Sequence, residues 1–110
     1  MTRRMCFALD LIDDARLIAE YSARHAAGAV WPEVVAHLHA QGVEEMEIWR
    51  TGDRMVMIAD VSDDYPRPAP EPPEVAEWEA LMWRFQRPLP HAAAGEKWVA
   101  MEPLFRLTDQ

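Results

Sequence analysis

The fold is decided by a hairpin in the middle of the chain, which reads VEEMEIWRTGDRMVMIADV over residues 43–61. Met46 and Ile48 alternate with polar neighbours, as in a strand that is covered on one face. The turn residues Thr51-Gly52-Asp53 follow. Residues 54–61 are then apolar at almost every position, which is typical of a strand covered on both faces. We therefore expect two antiparallel strands, of which the second is central.

A strand and two helices are predicted before this hairpin. In residues 3–11 bulky apolar side chains alternate with smaller or polar ones, which indicates a strand covered on one face. Asp13 and Asp14 offer a capping side chain and a favourable charge at the start of a helix. Its apolar positions continue at helical spacing, and this helix should stop near Gly28. Pro32 suits the first turn of a second helix, which should end near Gly42.

The part of the chain after the hairpin completes the pattern. Residues 62–73 carry five prolines and should form an extended connector. Residues 74–86 have apolar side chains at helical spacing, and residues 97–107 read as a final strand in which Pro103 marks a bulge or an edge position. The order strand, helix pair, strand, strand, helix, strand is the ferredoxin-like α+β pattern, in one domain over residues 1–110.

The sheet of such a fold has one face without helices. Helices cover one side of a small antiparallel sheet, so the other face needs a second cover. The simplest cover is another copy of the same chain, and we therefore expect a homodimer.

Composition excludes several classes of partner. The chain has 110 residues, half of them hydrophobic, and a formal net charge of -8. Such a charge repels phosphate backbones and anionic lipid surfaces, so neither nucleic acid nor a membrane is an expected partner. The single Cys6 cannot form an internal disulfide, and no apolar run has the length of a signal peptide or a membrane span. A cytoplasmic location is the default expectation.

Tyr21 and His25 are the first candidates for a ligand site. They are four residues apart in a predicted helix, so both side chains lie on one face, one turn apart. An imidazole titrates near neutral pH and can give or take a proton, while a phenol can orient a hydroxyl group. The alternative is a histidine that merely complements the dipole at a helix end.

The third predicted helix carries the next candidates. Trp78 and Trp83 have indole faces that suit either a hydrophobic core or the apolar face of a sugar ring, and the core is the commoner use. Glu79 can accept hydrogen bonds from hydroxyl groups. Together with Glu74 and Glu77, however, it also resembles a solvated helix face.

Two further groups of residues are candidate sites, a histidine pair as metal ligands and three acidic residues in strands as ligand contacts. His37 and His39 are two apart, so in a helix they point in different directions and do not form a zinc pair. No metal and no cofactor are expected. Asp10, Asp60 and Glu102 interrupt otherwise apolar strand segments, and each faces either a ligand or water depending on strand register.

Four segments carry a resemblance to a known family: CFAL at residues 6–9, EYSARH at 20–25, WPEV at 31–34 and MEPLFRL at 101–107. Their order and spacing resemble the L-rhamnose mutarotase family, which includes L-fucose mutarotases. The resemblance implies a small dimeric α+β barrel without metal or cofactor that interconverts the α and β anomers of a deoxysugar. It also implies that Tyr21 and His25 contact the sugar, with His25 as the proton donor.

The chain departs from the family pattern at three places. The segment between His25 and Trp31 is longer than usual. Trp78 is followed by Glu79 where rhamnose enzymes have a second tryptophan, and Met46 stands where a sugar-contacting tyrosine is expected. All three changes affect substrate contacts, which favours L-fucose over L-rhamnose.

The mechanistic hypothesis is ring opening by acid and base. His25 protonates the ring oxygen, Tyr21 holds a hydroxyl group, Trp78 stacks on the sugar, and Glu79 or Asp10 accepts the second proton. Two other functions remain open: a cofactor-independent or haem-degrading monooxygenase of similar fold, and a non-catalytic sugar-binding module.

Overall fold

The computed structural model describes residues 2–110, which form one antiparallel sheet and three α-helices. The elements in chain order are β1 (Thr2–Leu11), α1 (Ala15–Arg24), α2 (Pro32–Gln41), β2 (Val43–Thr51), β3 (Arg54–Ser62), α3 (Pro73–Trp83), β4 (Gln86–Arg87) and β5 (Val99–Ala100), followed by a 3-10 turn at Leu107–Asp109. None of the helices within residues 2–110 has the length and apolar composition needed to cross a membrane.

The ends of α1 and α2 follow from local chemistry. Asp14 caps α1, and its Oδ1 accepts hydrogen bonds from the backbone N–H groups of Arg16 and Leu17 at 2.9 and 3.0 Å. The helix ends at Arg24, earlier than the predicted stop near Gly28. Gly42 ends α2 at a φ of 106°, where a Cβ atom would clash with the Ser62 Oγ.

The sheet has the strand order β2-β3-β1-β4, and β5 also pairs with β1. This order confirms the predicted ferredoxin-like arrangement. Strand β3 pairs with β2 on one side and β1 on the other, so it is central as expected.

Strand register defines two faces of the sheet. Phe7 lies opposite Met57 and Leu9 opposite Met55, on the face that packs against the helices and is called here the helix-side face. Asp10 lies opposite Arg54 on the other, open face. Because successive side chains of a strand alternate, one residue step moves a side chain from one environment to the other.

Two predictions after residue 83 are wrong. The third helix ends at Trp83 instead of residue 86, because Pro88 disfavours helical backbone before it and Gln86–Arg87 pairs with β1 instead. The predicted final strand over residues 97–107 is reduced to Val99–Ala100. Beyond it Pro103 has no N–H to donate, and residues 101–106 have no regular structure, so Glu102 lies outside the sheet.

Candidate functional site

A cavity of about 620 Å³ lies between the helix-side face of the sheet and the helices. This volume is within the range of small-molecule sites, roughly 300–1,000 Å³. Strand residues such as Phe7, Met46 and Met57 provide an apolar floor. Polar groups in the wall come from several elements and include Tyr21, His25, Glu79, Gln86 and Lys97.

Tyr21 and His25 lie side by side at the end of α1, as their spacing predicts. Their ring centroids are 4.2 Å apart and both residues line the cavity. His25 Nδ1 is 2.7 Å from the Tyr21 carbonyl oxygen. Because a carbonyl oxygen only accepts, Nδ1 carries the hydrogen and Nε2 is the nitrogen left for a ligand.

Burial changes the acidity of both rings. Removal from water lowers the pKa of His25, and the hydrogen bond to the Tyr21 carbonyl opposes this only in part. Burial also raises the pKa of Tyr21 to about 12, so its phenol is neutral near pH 7. The Tyr21 hydroxyl accepts a hydrogen bond of 3.1 Å from Gln86 Nε2, which leaves its own hydrogen available to another acceptor.

Trp78 is both a core residue and part of the cavity wall. It is buried, and its ring contacts Trp31 at 5.1 Å and His25 at 5.6 Å between centroids, both edge to face. The two interpretations of this residue are therefore compatible. Trp83 does not line the cavity, and its ring lies 4.8 Å below the Lys97 ammonium group.

Glu79 is held by an ion pair at the edge of the cavity. Its Oε2 lies 2.5 Å from Lys97 Nζ, and the Lys97 side chain is only 13% exposed. A carboxylate held at this edge of the cavity is a group that can accept a proton.

The structure does not bring Asp10 to this cavity. Asp10 lies on the open face, 2% exposed, where its Oδ1 accepts from Arg54 Nε at 2.7 Å and its Oδ2 from Arg54 Nη2 at 3.0 Å. Arg87 lies 3.7 Å from the same carboxylate. Arg54, with Arg87 adding to it, holds the pKa of Asp10 below its usual value. Asp60 is also on the open face, where it pairs with Arg4 at 3.3 Å.

Gln86, Lys97 and Trp98 are among the residues of the cavity wall that the sequence does not single out. The sequence pattern predicts that Gln86 lies at the end of a helix and the other two at the start of a strand. No periodic pattern marks them, since they reach the cavity only because the chain folds back along β1 through β4 and β5. Within residues 2–110 no group of three or more histidine, cysteine, aspartate or glutamate side chains is arranged to hold a metal ion.

The chain that forms this cavity is similar to known proteins in sequence and in fold. Residues 4–107 match the family model described as L-rhamnose mutarotase. An L-fucose mutarotase of Xanthomonas campestris pathovar campestris is 48% identical over 97% of this chain and 90% of its own length. A UPF0734 protein of Dictyostelium discoideum is 32% identical over 91% of this chain and 86% of its own. The crystal structure of an L-rhamnose mutarotase from Formosa agariphila shares the fold, with a TM-score of 0.69 at 21% identity, covering 96% of this chain and 98% of that one.

Proposed function

This chain belongs to the L-rhamnose mutarotase family, and we propose that it interconverts the α and β anomers of a deoxyhexose, most readily L-fucose and otherwise L-rhamnose. The preference for L-fucose is supported by the 48% identity to a protein named L-fucose mutarotase. It is also supported by the position of Met46 and Glu79 in the cavity wall, since these are two of the departures from the rhamnose pattern.

The reaction requires two proton transfers. Opening a pyranose ring takes a proton from the anomeric hydroxyl and gives one to the ring oxygen. Protonated His25 donates from Nε2 to the ring oxygen, since Nδ1 is held by the Tyr21 carbonyl. The Glu79 carboxylate, held in place by Lys97, accepts the anomeric proton. We do not assign this role to Asp10, because it lies on the open face.

Ring closure reverses these roles. Once the ring is open, the aldehyde carbon turns about its bond to the neighbouring carbon and presents its other face. The group that protonated the ring oxygen then removes that proton as the oxygen attacks, and the conjugate acid of the base protonates the carbonyl oxygen. Trp78 and the apolar floor hold the sugar during this rotation, so the cavity acts mainly by orientation.

The single observation that carries this proposal is the pairing of His25 and Tyr21 at the wall of a cavity large enough for a monosaccharide. The test is NMR saturation exchange between the two anomers of L-fucose, L-rhamnose, D-galactose and D-glucose in parallel. We expect L-fucose to exchange fastest above its spontaneous rate. Saturable binding without faster exchange of any sugar would contradict catalysis and leave a non-catalytic binding module.

We also propose that the protein is a homodimer formed through the open face. This face carries the half-buried side chains of Val56 and Ile58 and an indole, Trp49, that is 64% exposed. In the segment after β5, Leu104 is 99% exposed and Phe105 is also exposed. Apolar surface of this kind is typical of protein interfaces. Size-exclusion chromatography with light scattering should give twice the chain mass, and a stable monomer at micromolar concentration would contradict the dimer.

A further inference from the structure

In the side-chain amide of Gln86, one of the two terminal atoms makes a hydrogen bond and the other makes none. The residue lies in β4 opposite Leu11, lines the cavity, and is 6% exposed. Its Nε2 donates to the Tyr21 hydroxyl, while its Oε1 is buried and has no hydrogen-bond partner among residues 2–110. A buried carbonyl oxygen without a donor is unfavourable and rare in native proteins, so it calls for a partner from outside the chain.

The geometry of the Tyr21–Gln86 pair indicates which partner fits. The Tyr21 oxygen already accepts a hydrogen from Gln86 Nε2, so its own hydrogen is directed to a different acceptor. The free Oε1 belongs to the same planar amide as Nε2, which contacts this hydroxyl. A group that can accept from Tyr21 and donate to Gln86 at once closes a cycle of three hydrogen bonds, and such chains strengthen one another. A hydroxyl group has this combination, whereas a carbonyl or an ether oxygen cannot donate.

We propose that Gln86 is a specificity-determining residue whose Oε1 accepts a hydrogen bond from one hydroxyl of the bound sugar, while Tyr21 donates to the oxygen of that same hydroxyl. The inference rests on the proposed mutarotase function and assigns the sugar contact within it. L-Fucose and L-rhamnose differ in the orientation of their hydroxyls at carbons 2 and 4. A sugar with the required hydroxyl absent or turned away leaves Oε1 buried and unpaired in the complex, and sites of this kind discriminate strongly against such analogues.

The test combines changes in the protein with changes in the sugar. The kcat/KM for anomer exchange is measured on L-fucose and on its 2-deoxy and 4-deoxy analogues, for the wild type and for Gln86→Met. In the wild type, one analogue should react about tenfold or more slowly than L-fucose. In Gln86→Met, the same analogue and L-fucose should differ by about twofold or less, because the acceptor that detects the hydroxyl is gone.

Two further variants separate sugar recognition from a purely structural role. Gln86→Glu keeps an acceptor oxygen at the same place but loses the N–H that donates to Tyr21, so it should retain part of the discrimination that Gln86→Met loses. Gln41→Met makes the same chemical change at a half-buried glutamine outside the cavity wall and should behave as wild type. If Gln86→Met does not fold, as judged by its thermal transition, Tyr21→Phe replaces it, since loss of the shared donor should also reduce the discrimination.

The inference and the proposed function fail in different ways. A wild-type protein that accelerates exchange of no sugar would remove the mutarotase function. An active wild type whose preference among the deoxy analogues is unchanged in Gln86→Met would overturn the role of Gln86 alone.

Discussion

The two faces of the sheet are built from alternate residues of the same strands, yet polar groups are paired on one face and left partly unpaired on the other. On the open face, the Asp10 carboxylate accepts two hydrogen bonds from Arg54 and lies near Arg87. On the helix-side face, two atoms at the cavity have no hydrogen-bond partner among residues 2–110. They are Gln86 Oε1 and the Nε2 ring nitrogen of His25. Free hydrogen-bonding capacity, and not the presence of charge, distinguishes the candidate site from a stabilising cluster.

The difference has a physical origin. A buried carboxylate that is fully paired is stabilised by each partner and has no free position at which to bind a ligand. A cavity that must recognise a polar ligand keeps donors and acceptors unpaired until the ligand arrives, at some cost in stability. The comparison therefore predicts that substitutions in the cavity change activity, whereas substitutions on the open face change stability.

The largest expected effect is the loss of activity in His25→Gln. Glutamine can keep a hydrogen bond to the Tyr21 carbonyl but cannot carry a proton to the ring oxygen. We expect kcat/KM for L-fucose anomer exchange to fall by about 10²–10⁴-fold, measured by NMR saturation exchange after subtraction of the spontaneous rate. Thermal unfolding of the variant provides the control for folding. Activity equal to that of the wild type would remove His25 from the mechanism.

The next effect is the pH dependence of the wild type. Burial lowers the pKa of His25 from its ordinary value of 6.5, so its protonated form is lost as the pH rises through a value below 6.5. If His25 gives a proton to the ring oxygen, kcat/KM above the spontaneous rate should fall by about tenfold per pH unit above that value. This falling limb should be absent in His25→Gln. A rate that instead rises through the same range would assign His25 as the base.

The sequence was sufficient for those parts of the fold and site that depend on local periodicity. Tyr21 and His25 are four apart in a helix with a capping aspartate, and the structure brings them together at the cavity. The hairpin of β2 and β3 also follows from alternation and a glycine turn. Neither pattern depends on contacts with distant residues, which is why both could be predicted.

The sequence was insufficient where long-range pairing decides the outcome. Asp10 was a candidate for the site because its face depends on strand register, and one residue step reverses the answer. Gln86 and Lys97 reach the cavity through two-residue strands that pair with β1, and strands this short leave no periodic signal. The missing residues are therefore those placed by tertiary contacts, and they include the residue to which we assign specificity.

On the open face, Asp10→Asn should lower stability without lowering activity. The change removes the charge from two hydrogen bonds to Arg54, and both arginines are about half exposed, so the loss should be about 1–3 kcal/mol in the free energy of unfolding. The folded pKa of Asp10 is below its ordinary value of 3.8. Its contribution is therefore complete above that value and is lost as the pH falls through the lower one, so the two proteins should converge in acid. Urea unfolding at several pH values measures this, and a large loss of kcat/KM would contradict the separation of the two faces.

The smallest expected effect is that of Asp60→Asn, which makes the same chemical change on the same face. Asp60 is one-third exposed and its partner Arg4 is two-thirds exposed, with a single contact of 3.3 Å. Water screens such a pair, so the expected loss is about 0–1 kcal/mol. Measured beside Asp10→Asn under identical conditions, this variant separates the effect of burial from that of charge. If both substitutions destabilise the protein equally, then pairing within the buried cluster is not what distinguishes Asp10, and the contrast between a saturated open face and an unsaturated cavity loses its energetic basis.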